Sequence, residues 1–391
     1  KRNNSSRTTR RSYLKRAGVS VGALALAGCA GGGGGEGDSE SSSGDGSDSS
    51  GSTGTVTDSQ ELQEVNMILS PGGFAGIIYD QMTKQTDRLE NRMNEEGYTV
   101  NAQESWENAA LFAAGGPDFS DIAGLEATTL ATERELDLVT FGKTISNFVG
   151  FITRIGSRFD PDNTGGLEES LNLLANEGKL AIGSWGGGDV PAEKIILEDQ
   201  FGLTLDEDQG DFEVVTADYF ALPQLLADEE VAAVSTAPQY GAASLFLPDD
   251  PALKGLFWNA DQLDEMGYGP RPINGWTTTR EFVDNNPGAV RALVEAHEET
   301  VADFLSRPYE LSTTEPYTEF LTAQNEQEAE FLVDFCIKNE YSWESPLMYE
   351  TVSLDETAIE QETQYINRAA ELGDVPSNWQ EYLEFVNVNN L

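Results

Sequence analysis

From residue 62 onward, the chain alternates short apolar runs with longer segments of helical periodicity. The apolar runs predict strands at 65–69, 98–102, 121–123, 148–153, 180–183, 212–216, 231–235 and 245–247. Helical periodicity predicts helices at 77–94, 167–177, 192–201, 220–227 and 290–305. From about Glu281 onward, nearly all of the chain is expected to be helical. This alternation is typical of an α/β fold with mainly parallel sheets.

Length and composition favour two lobes. The chain has 391 residues, of which 39% are hydrophobic, and a single core seldom grows beyond roughly 250 residues. The apolar run NFVGFIT stops at Arg154 and is interpreted as a strand that crosses between the lobes. We therefore predict lobe 1 at 62–148 plus 272–391, and an inserted lobe 2 at 152–268.

The N-terminal segment has the composition of an export signal. Basic residues precede a weakly apolar stretch of 12 residues, which is shorter than the roughly 20 residues that span a bilayer. Arg10 and Arg11, in TRRSYLK, resemble a twin-arginine signal, and LAGC resembles a lipoprotein box that ends at Cys29. We predict a signal over 1–28 and, over 29–61, a lipidated cysteine followed by a disordered acidic Gly/Ser tether. The alternative is an uncleaved basic tail.

The chain is strongly acidic beyond this signal. Of 23 Lys and Arg residues, seven precede residue 29, which leaves 16 against 68 Asp and Glu and a formal net charge of −52. This balance argues against nucleic acid or an anionic membrane surface as a partner, because a phosphate backbone must be neutralised by clustered cations. Self-repulsion of this size is screened in molar salt, where the Debye length is about 3 Å. The composition therefore favours a halophilic protein over one with an acid-binding function.

Two glycine-rich loops follow predicted strands, GSWGGG at 183–188 and SPGGF at 70–74. GSWGGG lacks the Lys-Ser/Thr pair of a Walker loop, and Pro191 stands where a dinucleotide fingerprint needs its third glycine, so no nucleotide is expected. Backbone N–H groups at a helix N-terminus would suit an anionic or strongly polar ligand group, with Trp185 as an apolar wall. Two such loops on two lobes would face one cleft. A glycine turn without a ligand is the alternative.

Residues for catalysis or metal binding are nearly absent from the sequence. The single histidine, His297, falls on or beside the apolar face of a predicted helix, and Cys336 falls on another, so both are expected to be structural. We find no nucleophile elbow and no Cys/His pairing for zinc. The acidic stretch LDEDQGDFE has its glycine one position too early for an EF-hand. We therefore expect no enzyme activity, no cofactor and no metal.

Three stretches occur in a characteristic order. They are LEESLNLLANEGKLAIGSWGGGDVPAEKIILEDQFGLTL, FEVVTADYFALPQLLADEEVAAVSTAPQYGAAS and INGWTTTREFVDNNPGAVRALVEAHEETVADFLSRPYE. Their order and spacing resemble those of ABC importer substrate-binding proteins of the nitrate, sulfonate, taurine and thiamine-precursor group, over roughly residues 64–310. The resemblance implies a two-lobed periplasmic-binding-protein-like (type II, Venus flytrap) α/β fold, in which a central cleft closes over the ligand by hinge motion.

The resemblance also implies which residues line the cleft. They are Pro71, Gly72, Gly73, Phe74, Trp106, Ser184, Trp185, Gly186, Gly187, Thr236, Ala237, Gln239 and Trp276. Gln239 is a departure, because the family often has an acid in the corresponding Glu-Pro pair. The only arginines near expected hinge or cleft segments are Arg154, Arg271 and Arg280. An anion would therefore depend on backbone N–H groups and one arginine at most.

The function implied by the resemblance is that of a monomeric extracytoplasmic lipoprotein of an ABC importer. It would capture a small polar or anionic organic solute and deliver it to a permease with a cytoplasmic ATPase. Export by the twin-arginine route and a lipid anchor at the outer face of the cell membrane fit this role. Two alternatives stay open. One is a solute-sensing lipoprotein that signals to a membrane partner, and the other is an enzyme similar to thiamine-pyrimidine synthase, whose cysteine-rich iron motif the sequence lacks.

The acidic composition predicts that thermal stability depends on salt. We expect the melting temperature to rise between a buffer without added salt and molar potassium chloride, because screening reduces repulsion among the carboxylates. Calorimetry across a salt series measures this, with sucrose as the control for stabilisation by an excluded solute. Full thermal stability without added salt would contradict the halophilic interpretation.

Overall fold

The computed structural model describes residues 62–391 except for 106, 123, 248, 250 and 339–343. The predicted signal with Arg10 and Arg11, the lipidation site Cys29, the tether and the cleft residue Trp106 lie outside the described residues.

Eleven strands occur within the described residues. They are β1 (Gln63–Leu69), β2 (Tyr98–Glu104), β3 (Phe119–Ser120), β4 (Leu138–Ser146), β5 (Gly150–Arg154), β6 (Lys179–Ile182), β7 (Glu213–Thr216), β8 (Ala233–Thr236), β9 (Leu253–Trp258), β10 (Pro272–Thr279) and β11 (Leu383–Phe385). One sheet has the strand order β11-β4-β10-β3-β1-β2 and the other β7-β6-β8-β5-β9. We call the sheets, with the helices packed on them, lobe 1 and lobe 2.

Five of the nine strand pairs within the described residues are parallel, three in lobe 1 and two in lobe 2. Strand β1 runs parallel to β2 and β3, β11 to β4, and β6 to β7 and β8. The antiparallel pairs involve β10 in lobe 1 and β5 in lobe 2, which are the strands that follow each passage of the chain between the sheets. The predicted α/β, two-lobed fold class with mainly parallel sheets is confirmed.

The helices fill the connections between strands. Those within the described residues are α1 (Gly73–Asp80), α2 (Arg88–Glu95), α3 (Asn108–Ala113), α4 (Gly124–Arg134), α5 (Pro161–Thr164), α6 (Leu167–Glu177), α7 (Val190–Phe201), α8 (Leu222–Ala227), α9 (Ala243–Phe246), α10 (Asn259–Glu265), α11 (Arg280–Asn285), α12 (Pro287–Ser306), α13 (Pro308–Ser312), α14 (Tyr317–Phe320), α15 (Glu326–Cys336) and α16 (Glu356–Leu372). Among the described residues, no helix has the length and hydropathy needed to cross a membrane.

Several predicted elements differ from those observed. The helix predicted at 77–94 is instead α1, a π-helical segment Gln81–Gln85 and α2, because the chain becomes extended at Thr86. The strand predicted at 245–247 is wrong, since most of that run lies in α9; a short apolar run does not distinguish a strand from a buried helical turn. The strand predicted at 121–123 is misplaced, because β3 covers Phe119–Ser120 and ends one residue before the predicted start.

The chain passes between the lobes through two adjacent segments. The first lies between Ser146 and Gly150, and the second follows β9. The backbone N–H of Asn147 donates to the Arg271 carbonyl at 2.6 Å, and the N–H of Ala260 donates to the Asn147 carbonyl at 3.1 Å. The two crossings are therefore hydrogen-bonded to each other. Strands of lobe 1 lie within 62–148 and 272–391, and those of lobe 2 span 150–258; the lobe boundaries given above stay a prediction.

The C-terminal part of the chain contacts both lobes. Arg368, on α16, pairs with Asp199 on α7 at 2.6 Å, and Asp374 pairs with Lys194, also on α7, at 2.5 Å. Arg271 of the second crossing forms a buried ion pair with Glu362 on α16. Helix α16 is therefore attached both to a crossing and to lobe 2.

Candidate ligand-binding cleft

Two cavities lie between the lobes and share the lining residues Ser70 and Asn274. The larger has a volume of about 470 Å³ and the smaller about 70 Å³. Each is lined from both lobes. Solute pockets in proteins usually have volumes of roughly 300–1,000 Å³, so the larger cavity has room for a small organic molecule, whereas the smaller holds at most a ligand substituent or a few waters.

One face of α4 forms much of the lobe 1 side of the larger cavity. This face carries Glu126, Thr129, Leu130 and Glu133, which recur at helical spacing. The lobe 2 side is the loop between β6 and α7. The lining residues from this side are Trp185, Gly186, Gly187, Gly188 and Pro191. The glycine-rich loop singled out from the sequence therefore faces a cavity.

Two of the loop glycines are required by close packing. A Cβ atom at Gly183 would lie 2.2 Å from the Tyr219 ring, and one at Gly187 would lie 2.4 Å from Asp189 Oδ1. The loop also uses its own N–H groups: Gly187 donates to the Ser184 carbonyl at 3.1 Å and Gly186 to Ser184 Oγ at 3.2 Å. These two donors are thus engaged within the loop, contrary to the expectation that it offers them to a ligand.

The carboxylate of Asp121 organises the lobe 1 side. It accepts hydrogen bonds from the Ser70 N–H at 3.0 and 3.1 Å, from Asn108 Nδ2 at 2.8 Å and from Asn274 Nδ2 at 3.0 Å. The Ser70 hydroxyl adds a contact at 3.2 Å. Burial raises the pKa of Asp121 to about 6, although all these hydrogen bonds act to lower it.

In lobe 2, the glycine-rich loop is supported by a pair of buried carboxyl groups, those of Asp189 and Glu193. Asp189 Oδ1 accepts from the Tyr219 hydroxyl at 2.5 Å, and its Oδ2 accepts from Ser235 Oγ at 3.1 Å. The same Ser235 hydroxyl contacts Glu193 Oε1. Since one hydroxyl has a single proton, it cannot donate to both carboxylates. Burial, and then the charge of Asp189, raises the pKa of Glu193 well above its ordinary value, so Glu193 keeps its proton to a higher pH than in the unfolded chain.

The smaller cavity joins the two lobes at the SPGG loop. It is lined by Pro71, Gly72 and Gly73 of lobe 1 and by Gln239 and Tyr240 of lobe 2. A Cβ atom at Gly73 would lie 3.4 Å from Gln239 Nε2. The side chain of Gln239 is 2% exposed, and its Oε1 has no hydrogen-bond partner among the described residues. An acceptor is therefore left open at this cavity.

The predicted cleft residues fall into three groups. Those that line a cavity are Pro71, Gly72, Gly73, Trp185, Gly186, Gly187 and Gln239. Those close to a lining residue but not lining either cavity are Ser184, Thr236 and Ala237. Phe74 and Trp276 are fully buried in the lobe 1 core and line neither cavity. These two of the four aromatics expected in the cleft are packing residues, since Phe74 contacts Phe304 and Trp276 contacts Tyr79.

The sequence prediction missed the polar residues that line the lobe 1 side, namely Ser70, Asn108, Asp121, Glu126, Glu133 and Asn274. Two of them carried a usable signal: Glu126 and Glu133 are seven residues apart, on one face of a helix. The others are single polar residues at distant points of the chain. No local pattern connects them.

Neither the arginines nor the histidine provides a charged group in the cleft. Arg154, Arg271 and Arg280 pair with Glu229, Glu362 and Glu384, and none lines either cavity. His297 is buried, and its Nδ1 accepts a hydrogen bond from Trp276 Nε1 at 3.2 Å. Burial lowers its pKa to about 3, so it is a neutral residue of the core. Within the described residues, no group of His, Cys, Asp and Glu is arranged to hold a metal ion.

The buried Glu193 predicts a pH-dependent effect of substitution. The native state keeps a proton on this group that the unfolded chain loses near pH 4.3, so its contribution to the free energy of unfolding falls as pH rises. We expect Glu193→Gln, relative to wild type, to become progressively more stabilising as pH rises above about 4.3, by at most about 1.4 kcal/mol per pH unit.

Urea denaturation at several pH values measures this effect. Glu198→Gln is the matched control, because Glu198 is an exposed residue of the same helix α7. A difference between Glu193→Gln and wild type that does not change with pH would contradict the assignment of a protonated Glu193.

No family model and no curated protein sequence matches this chain. Solved structures do match. The periplasmic aliphatic sulphonate binding protein SsuA from Escherichia coli is 13% identical, with a TM-score of 0.60 over 82% of this chain and 97% of that chain. The alkanesulfonate-binding protein SsuA from Xanthomonas axonopodis pv. citri, bound to MOPS, is 12% identical, with a TM-score of 0.57 over 83% and 99%. The periplasmic nitrate-binding protein NrtA from Synechocystis PCC 6803 is 12% identical, with a TM-score of 0.53 over 82% and 84%. At these identities the similarity shows that the chain shares the two-lobed fold of these binding proteins.

Proposed function

We propose that this protein is the extracytoplasmic solute-binding lipoprotein of an ABC importer. It captures a small organic solute between its two lobes and delivers the solute to a permease with a cytoplasmic ATPase. It acts as a monomer without enzyme activity, exported by the twin-arginine route and held by a lipid on Cys29 at the outer face of the cell membrane.

The observation that carries this proposal is the cavity of about 470 Å³ between the lobes, lined by residues of both. A ligand that contacts both lobes stabilises the arrangement in which they are close, and this is how a hinged binding protein reports that it is loaded. The two adjacent crossings provide the hinge. The similar solved structures are described as binding proteins, and the sequence of signal, cysteine and acidic tether suits a receptor that must remain near a permease.

Solute binding in this cavity predicts a thermal shift that depends on Gly187. We expect the low-molecular-weight fraction of yeast extract to raise the melting temperature, since a ligand at 100 times its Kd stabilises by about 2.7 kcal/mol. Gly187→Ala should weaken the response about tenfold or more, because the added Cβ would lie 2.4 Å from Asp189 Oδ1 and must displace the loop.

Gly186→Ala is the matched control for this experiment. Its Cβ would approach no atom closer than 3.8 Å, so the loop can keep its position. Differential scanning fluorimetry with serial dilutions of the fraction measures both variants. No shift of wild type with this fraction would overturn solute binding, and an unchanged response in Gly187→Ala would remove this loop from the site.

The lipid anchor predicts a change of location for one substitution. We expect Cys29→Ser to move the protein from the membrane fraction to the soluble extracytoplasmic fraction, because the serine hydroxyl cannot form the thioether that holds the lipid. Cys336→Ser is the control, since that thiol is buried and separate from the signal. Fractionation and immunoblotting of cells that express each variant measure this, and membrane retention of Cys29→Ser would contradict the anchor.

A further inference from the structure

The larger cavity contains acidic side chains and no lysine or arginine among its lining residues. The acidic side chains are those of Asp121, Glu126, Glu133 and Asp374. Asp374 is the one with a cationic partner, because its Oδ1 lies 2.5 Å from Lys194 Nζ. For Glu126 and Glu133 no ion pair is found among the described residues. An anionic ligand entering this cavity would therefore face uncompensated negative charge.

Three hydrogen-bond donors that line the larger cavity from lobe 1 are already occupied. The Ser70 N–H and the side-chain amides of Asn108 and Asn274 all donate to Asp121. The buried carboxylate thus takes the place that a bound sulfonate, nitrate or carboxylate would require. On the lobe 2 side, the N–H groups of Gly186 and Gly187 donate to Ser184.

Unpaired acceptors, in contrast, belong to lining residues of both cavities. Gln239 Oε1, at the smaller cavity, and Asp374 Oδ2, at the larger one, are buried without a hydrogen-bond partner among the described residues. Unpaired buried acceptors destabilise a protein unless a donor reaches them. A ligand that completes this cleft must therefore carry N–H or O–H donors. Trp185 adds an aromatic wall, and aromatic faces attract cations.

We propose that the cleft binds its solute through a positively charged amine group, held in the larger cavity between Glu126 on α4 and Trp185 of the glycine-rich loop. This inference rests on the proposed function and specifies its solute as an organic cation or an amine-bearing zwitterion. It narrows the polar solute expected from the sequence to one that carries an amine, and it replaces the anionic alternative.

The titration of the cavity carboxylates agrees with this geometry. Glu126 is exposed to the cavity but enclosed by the two lobes. Desolvation raises the pKa of Glu126 to about 7, and the charge of Asp121 adds to this effect. The other charged groups that face this cavity are Asp121, Glu133 and the Asp374–Lys194 pair. A cation binds the ionised form of Glu126, so amine binding strengthens as pH rises from about 6 to 8.

A fractionation by charge tests the inference. The low-molecular-weight fraction of yeast extract is passed over a strong cation exchanger at acidic pH, which retains amines, including amino acid zwitterions. The retained and unretained pools are neutralised and assayed by differential scanning fluorimetry with the full protein. We expect the retained pool to raise the melting temperature and the unretained pool to have no effect. Ash prepared from the retained pool is the control for metal ions and should also have no effect.

A pair of variants tests whether the thermal shift comes from binding in the larger cavity. Glu126→Gln should require about tenfold more of the retained pool for half of the shift, because a charged hydrogen bond becomes a neutral one. Glu90→Gln, at an exposed position on α2 that lines neither cavity, should respond as wild type does.

Each outcome tests either the positive charge of the solute or the solute-binding function itself. A response to the unretained pool alone, or a response that the ash reproduces, overturns the amine inference and leaves solute binding intact. A full response of Glu126→Gln to the retained pool also overturns it. If neither pool has an effect although the recombined fraction does, the solute is not a single molecule of either class and the inference fails. If the recombined fraction has no effect, the proposed function fails with it.

Discussion

The lobe 1 side of the cleft depends on one buried carboxylate, that of Asp121. It collects donors from the end of β1 through Ser70, from α3 through Asn108, and from β10 through Asn274. These elements are far apart in the chain, and each donor left without an acceptor would cost roughly 1–3 kcal/mol. Asp121 therefore fixes the positions of three elements around the cavity, and the hydrogen bonds offset much of the cost of burying its charge.

A chain with so few cations must stabilise buried acids in other ways. Asp121 uses amide, hydroxyl and backbone donors, while Asp189 and Glu193 share Ser235, with Glu193 kept protonated by burial and by its neighbour. A buried cation is found where separate parts of the molecule meet, in the pair of Arg271 with Glu362. Lys or Arg side chains in the cleft would have made it a site for anions. Neither is among the described residues that line the larger cavity, so hydrogen-bond acceptors dominate its lining.

The sequence predicted the elements with a local pattern and missed those that depend on distant contacts. Strands β1 and β6 contain the short apolar runs MIL and LAI and were found. Strand β4 reads LVTFGKTIS, and polar residues such as Thr140 are buried in it because they pair across the sheet, as Thr140 does with Thr277 at 2.8 Å. The glycine-rich loop was found for the same reason as the strands, because its signal is a run of consecutive residues. Asp121 and Asn274 are 153 residues apart and meet only because β3 and β10 are neighbours in the sheet.

The ion pairs of α16 connect closure of the lobes to the position of the glycine loop. Asp374 and Arg368 hold α7 through Lys194 and Asp199, and the N-terminus of α7 follows directly on the loop that lines the larger cavity. A rotation that moves α7 away from α16 must break both ion pairs, at the cost of leaving the largely buried Asp374 without its cation. Because Asp374 also lines the cavity, a positively charged ligand there would compensate its charge, so loading of the cleft and the contacts that hold it closed share one carboxylate.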